Sequence, residues 1–466
     1  MDFFFEWDCN INAQTLRISL PGDKNNEKKI HLSRRWEEML NFFFHIFFAL
    51  IKIFINPWFS PGLQRKLATK RVIKEIKSAY KNVPYYRQKY DEYGVDINAI
   101  NRLEDIKKIP FITKDEIREQ FPDGIVASGI NIDKCHYSAT TGSTGKSLPF
   151  VFNSSTFAFY LATSLRVLMM IGYRPWHKAV YIKYTPVHTP SFGPFFRTAH
   201  IPSTISVEEQ ISMIRKEKPD LIVGYASIIH EIARRVTPDD LTYIRPKFIS
   251  VNSELSTIMQ REFISSVMGC PVYDEYSTEE TWMIASQCSH YRYHLFTDNV
   301  WVEFLDKDGM DVACNDTGEI VLTTMRSPAM PFIRYRIGDI GQPGDQACTC
   351  KMGFPLLNSF EGRSDDSFIL PSGKFISSLK ILNTFTMYIK EYLYLIEEFK
   401  VIQKEKGLIV IQLVKGKEYS KEIFQKLIDR LYDIFNEPVS ITLEPVDKIF
   451  NEGNIKRKAI ESWVNK

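Results

Sequence analysis

The stretch Ser138-Ala139-Thr140-Thr141-Gly142-Ser143-Thr144-Gly145-Lys146 crowds hydroxyl and glycine residues ahead of one lysine. Small residues let backbone N–H groups approach a phosphate. Hydroxyls add donors, and the lysine adds a point charge. That is the chemistry of triphosphate binding. A plain flexible turn is the bland alternative, and two phosphate-holding architectures compete with it. In one, Gly-Lys-Ser closes the loop and a helix starts directly after the lysine. Gly145-Lys146-Ser147 fits that ending, but Thr140 stands where its first glycine belongs. In the other, the loop joins two strands. Leu148-Pro149-Phe150-Val151-Phe152 reads as strand, which favours the second.

Two further groups of residues could carry chemistry. Glu279, Glu280, Asp339, Arg363, Asp365 and Asp366 recur beyond the loop. An ionised carboxylate can accept both hydroxyls of a ribose or hold a divalent cation, and an arginine can grip phosphate in a fork. The bland readings are a solvated acid pair, a turn cap at Asp339, and an ion pair of Arg363 with Asp365 or Asp366. Cys288, His294, Cys348 and Cys350 form a Cys3His set suited to a closed tetrahedral zinc site. His290 is an alternative ligand, and four reduced residues without a metal are the bland reading.

These residues need a large scaffold. The chain has 466 residues with 44% hydrophobic and 25% charged, an ordinary globular composition with room for more than one domain. A net charge of +3 is too small for a nucleic-acid footprint. Seven cysteines in a long chain do not suggest a disulfide framework. Residues 61–90 read as helix, interrupted at Asn82-Val83-Pro84, and Ile109–Lys114 reads as a loop capping a short helix. From about residue 134 to 340, strand-length apolar runs such as Ala179–Ile182, Leu221–Val223, Phe248–Val251 and Glu319–Thr323 alternate with helical patterns. That alternation predicts an α/β domain with mostly parallel sheets flanked by helices. Beyond Gly362, strands at Phe399–Gln403, Leu408–Leu413 and Val439–Leu443, with a helix at Lys421–Phe435, predict a small α+β unit. The expected division is an extension over 1–30 with weak strand character, a large domain over 31–364 and a small mobile domain over 365–466.

Several segments follow in an order that resembles the adenylate-forming superfamily, and in particular the phenylacetate–coenzyme A ligase branch. They are the hydroxyl-rich loop, Tyr273–Glu280, Thr317–Thr324 with Met330–Asp339, and Gly362–Asp366. Weaker signatures of the branch are Leu221–Ser227, Asn252–Ser256 and Asn82–Tyr86. The resemblance covers roughly residues 61–460 and implies a carboxylate-activating ligase using ATP and Mg2+, with coenzyme A as default acceptor. It implies that Tyr276 and Ser277 lie by the adenine, that Glu280 holds magnesium, and that Asp339 takes the ribose. It also implies that Arg363 reaches phosphate or ribose and that Asp365 is the hinge. Some members of the branch show a similar Cys/His pattern. The expected C-terminal Gly-Lys pair is missing. Asn454 stands in the lysine's place, and Lys456 shares its face if the segment is extended. Three readings follow: Lys456 substitutes, adenylation proceeds without that charge, or the chain only binds nucleotide or acyl ligand.

The acid is the least legible part. Lys183–Phe196, rich in proline and aromatics, could line an acyl pocket with Tyr225, Ser227 and His188, which suggests an aromatic or otherwise apolar acid. An amine or a carrier thiol is an alternative acceptor, and the oligomeric state is open, a dimer included. The first thirty residues lack a secretory pattern, so a cytoplasmic location is expected. Met39–Phe59 is apolar but broken by Asn41, His45, Lys52 and Asn56. It reads first as a helix packed on a core, second as a helix at the inner membrane surface, and last as a span.

Overall fold

A computed structural model describes residues 41–140, 147–186, 193–344, 347–391, 396–450 and 458–464. The expected extension over 1–30, most of the phosphate loop, His188 and Lys456 lie outside the described residues.

Helix α1 spans 41–55 and ends in a 3-10 turn at Asn56–Trp58, where Pro57 stops it. α2 (Pro61–Asn82) starts on Pro61 and buries Ala68, Val72, Ile76 and Ala79 along one stripe. Pro84 then opens α3 (Pro84–Glu92), so the break expected at Asn82–Pro84 is a junction of two helices. α4 (Lys114–Gln120) carries a reciprocal cap: Glu116 N donates to Thr113 Oγ1, and Thr113 N donates to the Glu116 carboxylate.

The strand pair β1 (His136–Ala139) and β2 (Pro149–Phe152) is antiparallel and precedes α5 (Ser154–Met170). An alternating run follows: β3 (Ala179–Lys183), β4 (Thr198–Pro202), α6 (Val207–Glu217), β5 (Leu221–Tyr225), α7 (Ala226–Arg235), α8 (Asp240–Tyr243), β6 (Phe248–Asn252), α9 (Ile258–Met268) and β7 (Val272–Thr278). β8 (Trp282–Gln287), β9 (Tyr293–Leu295), β10 (Val300–Leu305), β11 (Gly318–Thr324), β12 (Tyr335–Pro343) and β13 (Leu356–Arg363) complete one 11-stranded sheet. Its order is β10-β11-β12-β13-β9-β8-β7-β6-β5-β3-β4. The parallel character read from the sequence belongs to the β7-to-β4 half, and the other half is antiparallel. Parallel strands buried on both faces are continuous apolar runs, and β5 and β6 are buried throughout.

Beyond Gly362 come the short pair β14 (Phe368–Ile369) and β15 (Phe375–Ile376), then α10 (Ser378–Glu391), β16 (Ile396–Glu405), β17 (Leu408–Lys415), α11 (Lys421–Phe435), β18 (Ser440–Pro445) and β19 (Ile460–Ser462). They form a four-stranded sheet, β18-β17-β16-β19, with its own core around Phe385, Val401, Ile411 and Leu431. At the junction Gly362 has φ +101°, and a Cβ there would meet Ser378 Oγ at 2.2 Å. Only glycine suits that backbone and that approach.

Candidate active site

The carboxyl ends of parallel strands are where ligands bind in such sheets. Here those ends carry Lys183, Tyr225, Asn252 and, just past the middle of β7, Tyr276. Across the sheet, Asp339 on β12 and Arg363 on β13 are direct cross-strand partners. Tyr276 Oη donates to Asp339 Oδ2 at 2.8 Å. Arg363 Nε lies 3.6 Å from Asp339 Oδ1, and Nη2 donates to Ile337 O at 3.2 Å. The Tyr276 ring stacks on Phe360 with centroids 4.4 Å apart.

Glu280 sits in the turn between β7 and β8, held by Thr281 N donating to Thr278 Oγ1 at 3.1 Å. Glu280 is buried and Glu279 is exposed, which separates the two candidates. Tyr335 Oη donates to Glu280 Oε1 at 2.9 Å.

Electrostatics tie these groups into one pocket. Burial raises the Asp339 carboxyl above its ordinary range, while Arg363, Tyr276 and Lys114 oppose that. Burial would lower Arg363, but Asp339, Asp366, Asp365 and Glu280 outweigh it and raise the guanidinium. Arg363 therefore faces Asp339 as well as Asp365 and Asp366. Asp365 itself is exposed, in the turn Ser364–Asp366.

Lys114 was not among the expected site residues. Burial first and Arg363 second lower its ammonium, and Glu280, Asp339 and Asp365 pull the other way. It is half-buried at the first position of α4, and Ile112 beside it bridges to Tyr335. Lys458 was also missed. It pairs with Asp366, which in turn feels Arg363. Thus the described lysine that the C-terminal segment brings to this network is Lys458, two residues beyond Lys456.

The neck of the phosphate loop is described although its tip is not. Thr140 N donates to Leu148 O at 3.0 Å and Leu148 N to Thr140 Oγ1 at 3.2 Å. Strand β2 begins three residues after Lys146, so the helix demanded by a Gly-Lys-Ser loop is absent there. Thr141, Gly142, Ser143, Thr144, Gly145 and Lys146 lie outside the described residues.

On the acyl side, Tyr225 is buried, with the Lys183 ammonium 4.5 Å from its ring centroid. Ser227 N donates to Glu254 Oε2 at 3.0 Å. Ser227 Oγ is buried with no hydrogen-bond partner. Ser277 is half-buried beside Tyr276.

Cys288, His294, Cys348 and Cys350 come together with their ligand atoms within 4.8 Å of one another. Cys288 Sγ and Cys348 Sγ are 3.6 Å apart, and Cys350 Sγ and His294 Nε2 are 3.2 Å apart. Sulfurs on one tetrahedral zinc sit roughly 3.7 Å apart, from Zn–S bonds of about 2.3 Å. Burial lowers His294 to about 4, so its imidazole is neutral, as a ligand must be. His290 is exposed and outside the group.

No family model matches the chain. A phenylacetate–coenzyme A ligase from Thermus thermophilus is 26% identical over 323 residues, covering 66% of this chain and 72% of the relative. The chain is similar to the phenylacetate–coenzyme A ligases. Protein CapK from Staphylococcus aureus is 24% identical over 400 residues, covering 81% of this chain and 86% of the relative. A solved 2-hydroxyisobutyryl-CoA ligase in complex with 2-HIB-AMP, in its postadenylation state, aligns with TM-score 0.74 at 17% identity. That alignment spans 88% of this chain and 91% of the ligase. The chain thus has the fold of an adenylate-forming acyl-CoA ligase: a large mixed sheet flanked by helices, and a small C-terminal sheet domain.

Proposed function

We infer that this protein is an AMP-forming acid–thiol ligase, which activates a carboxylic acid with ATP as an acyl-adenylate and passes the acyl group to coenzyme A. The observation that carries this is the convergence of Tyr276, Glu280, Asp339, Arg363 and Lys114 in one pocket.

In the first step a carboxylate oxygen attacks the α-phosphorus. A new O–P bond forms, the bond to the β-phosphate oxygen breaks, and pyrophosphate leaves. Negative charge grows on the equatorial oxygens. Arg363 and Lys114 are the fixed cations in this pocket that can offset it. Asp339 accepts the ribose hydroxyls, and the tyrosine that donates to it, Tyr276, presents its ring to the adenine. Lys146, which the sequence assigns to the leaving phosphates, lies outside the described residues. Glu280 would hold Mg2+, which prefers one or two carboxylates plus phosphate oxygens and supplies charge neutralisation at the phosphates. The second step, with the small domain turning at Asp365, breaks the acyl–phosphate bond as the coenzyme A sulfur bonds to the carbonyl carbon and AMP leaves.

Cys288, His294, Cys348 and Cys350 would hold one structural zinc, since four protein ligands leave no coordination position for water. An apolar or aromatic acid is the class that Tyr225, Ser227 and the segment toward His188 suit. Lys456 and Lys458 are the candidates for the missing lysine. A cytoplasmic location, peripheral on the inner membrane face, is part of the same proposal.

The test is pyrophosphate release by purified protein and Mg-ATP over a panel of aromatic, aliphatic and hydroxy acids. Coenzyme A or an amine is then offered to the trapped adenylate. The expected result is acid-dependent release and a thioester product. ATP binding without release for any acid would favour a binding protein.

A further inference from the structure

Helix α1 is apolar on both faces, yet only one face is covered. Ala49 and Ile53 enter the main core. At its end Asn56 Nδ2 donates to the buried Asp298 Oδ2 at 2.8 Å, and Gly353 N donates to Pro57 O at 2.8 Å. The helix is therefore fixed to the large domain. A surface helix normally turns polar residues outward. Here Phe44, Phe47, Phe48, Phe54, Ile55 and Trp58 point out, with Phe44 60% and Trp58 65% exposed. Asn41 and Lys52 are the only exposed polar residues from 41 to 58.

Charge identifies what covers that face. From Asn41 to Lys74 there is no acidic residue, but Lys52, Arg65, Lys66, Lys70, Arg71 and Lys74 are all present. Lys66, Lys70 and Lys74 are exposed, share one stripe of α2, and make no ion pair among the described residues. Lys52 lies near Arg326 and Arg71, which belong to a part-buried network that also takes in Asp298 and Glu75.

We propose that the outer face of α1 and the basic stripe of α2 dock this protein on an anionic phospholipid surface, with α1 lying in the plane of the interface. Aromatic side chains suit the headgroup boundary, and lysines add attraction to anionic lipid. A span is disfavoured because the inner face of α1 is already packed on protein. One consequence rests on the ligase reading. Phe42 packs against His136 and Phe157, with centroids 6.4 and 6.3 Å away, and His136 opens the strand leading into the phosphate loop. Docking would hold the start of that strand one aromatic side chain from lipid, where an apolar acid partitions.

The full chain is sedimented with phosphatidylcholine vesicles and with vesicles that also contain phosphatidylglycerol. The wild type is expected in the pellet with the anionic vesicles, less so as salt rises. Phe47→Glu with Phe54→Glu should cut partitioning by roughly tenfold or more. Lys66→Glu, Lys70→Glu and Lys74→Glu together should remove the preference for anionic over neutral vesicles. All five side chains are exposed, so the melting temperature and pyrophosphate release in detergent should stay at wild-type values. Brominated lipid should quench wild-type fluorescence more than that of Trp58→Phe. The proposal is overturned if the wild type stays in the supernatant with both vesicles. It is also overturned if the Phe variant binds equally well. A soluble dimer that ignores vesicles and splits on the Phe47/Phe54 change would make this face a protein interface instead. These outcomes do not depend on ligase activity, so the two readings fail separately.

Discussion

Two polar clusters gather around one sheet, and they are built on opposite rules. The Asp339–Arg363–Glu280–Lys114 pocket mixes charges of both signs, spaced so that none is fully neutralised: Arg363 and Asp339 stand 3.6 Å apart. The Cys288–His294–Cys348–Cys350 cluster holds four ligand atoms within 4.8 Å of one another, with the Arg292 guanidinium as its neighbouring charge. The first arrangement is ready for a ligand that brings phosphates and hydroxyls and then leaves. The second is complete as a coordination shell and suits an ion that stays. Mutations should therefore separate activity from stability between the two.

The largest effect on rate is expected at Glu280. Glu280→Gln should lower pyrophosphate release about 10²–10³-fold in single-turnover assays, with an unchanged melting temperature and zinc content. On the other side, Cys348→Ser or Cys350→Ser should remove zinc from elemental analysis and lower the melting temperature by several degrees. Activity per folded molecule should stay near wild type. A zinc-free variant that is as stable as wild type would erase the contrast between the two clusters.

Lys114 sharpens the pocket side. Lys114→Met should cost roughly ten- to a hundredfold in kcat/KM, the scale of a charge-assisted hydrogen bond, and Lys114→Arg should recover part of it. Tyr276→Phe removes one hydrogen bond to Asp339 and should weaken AMP binding by less than about tenfold in calorimetry. The mildest test is pH. Burial raises Asp339, so its ionised, ribose-accepting form is present at high pH and is lost as pH falls through a value above the ordinary carboxylate range. AMP affinity should decline there in the wild type and stay flat in Asp339→Asn.

How much of this was legible beforehand follows from distance along the chain. Tyr276 and Glu280 are four residues apart in the sequence, and Asp339 closes the segment Met330–Asp339, so local text sufficed. The parallel half of the sheet was readable because β5 is an apolar run and β6 is one broken only by Ser250 before Asn252. The antiparallel half was not, since β9, β10 and β11 are nearly as buried as the parallel strands and burial alone carries no mark of direction. The cysteine set was legible as residue types, but its meeting depends on β9 pairing with both β8 and β13. Lys114 had no local signal. The cap at Thr113 marks a helix start, and only the bridge from Ile112 to Tyr335 carries the lysine into the pocket. For the same reason Lys458, placed by its pairing with Asp366, was passed over for Lys456. Met39–Phe59 was read first as a packed helix. One face is packed, and the other is open.

The most direct measurement is calorimetric binding of AMP to the wild type and to Asp339→Ala. The account predicts one site per chain in the wild type and a loss of roughly tenfold or more in the variant, with both proteins folded. No AMP binding to the wild type, or equal binding to both, would contradict it.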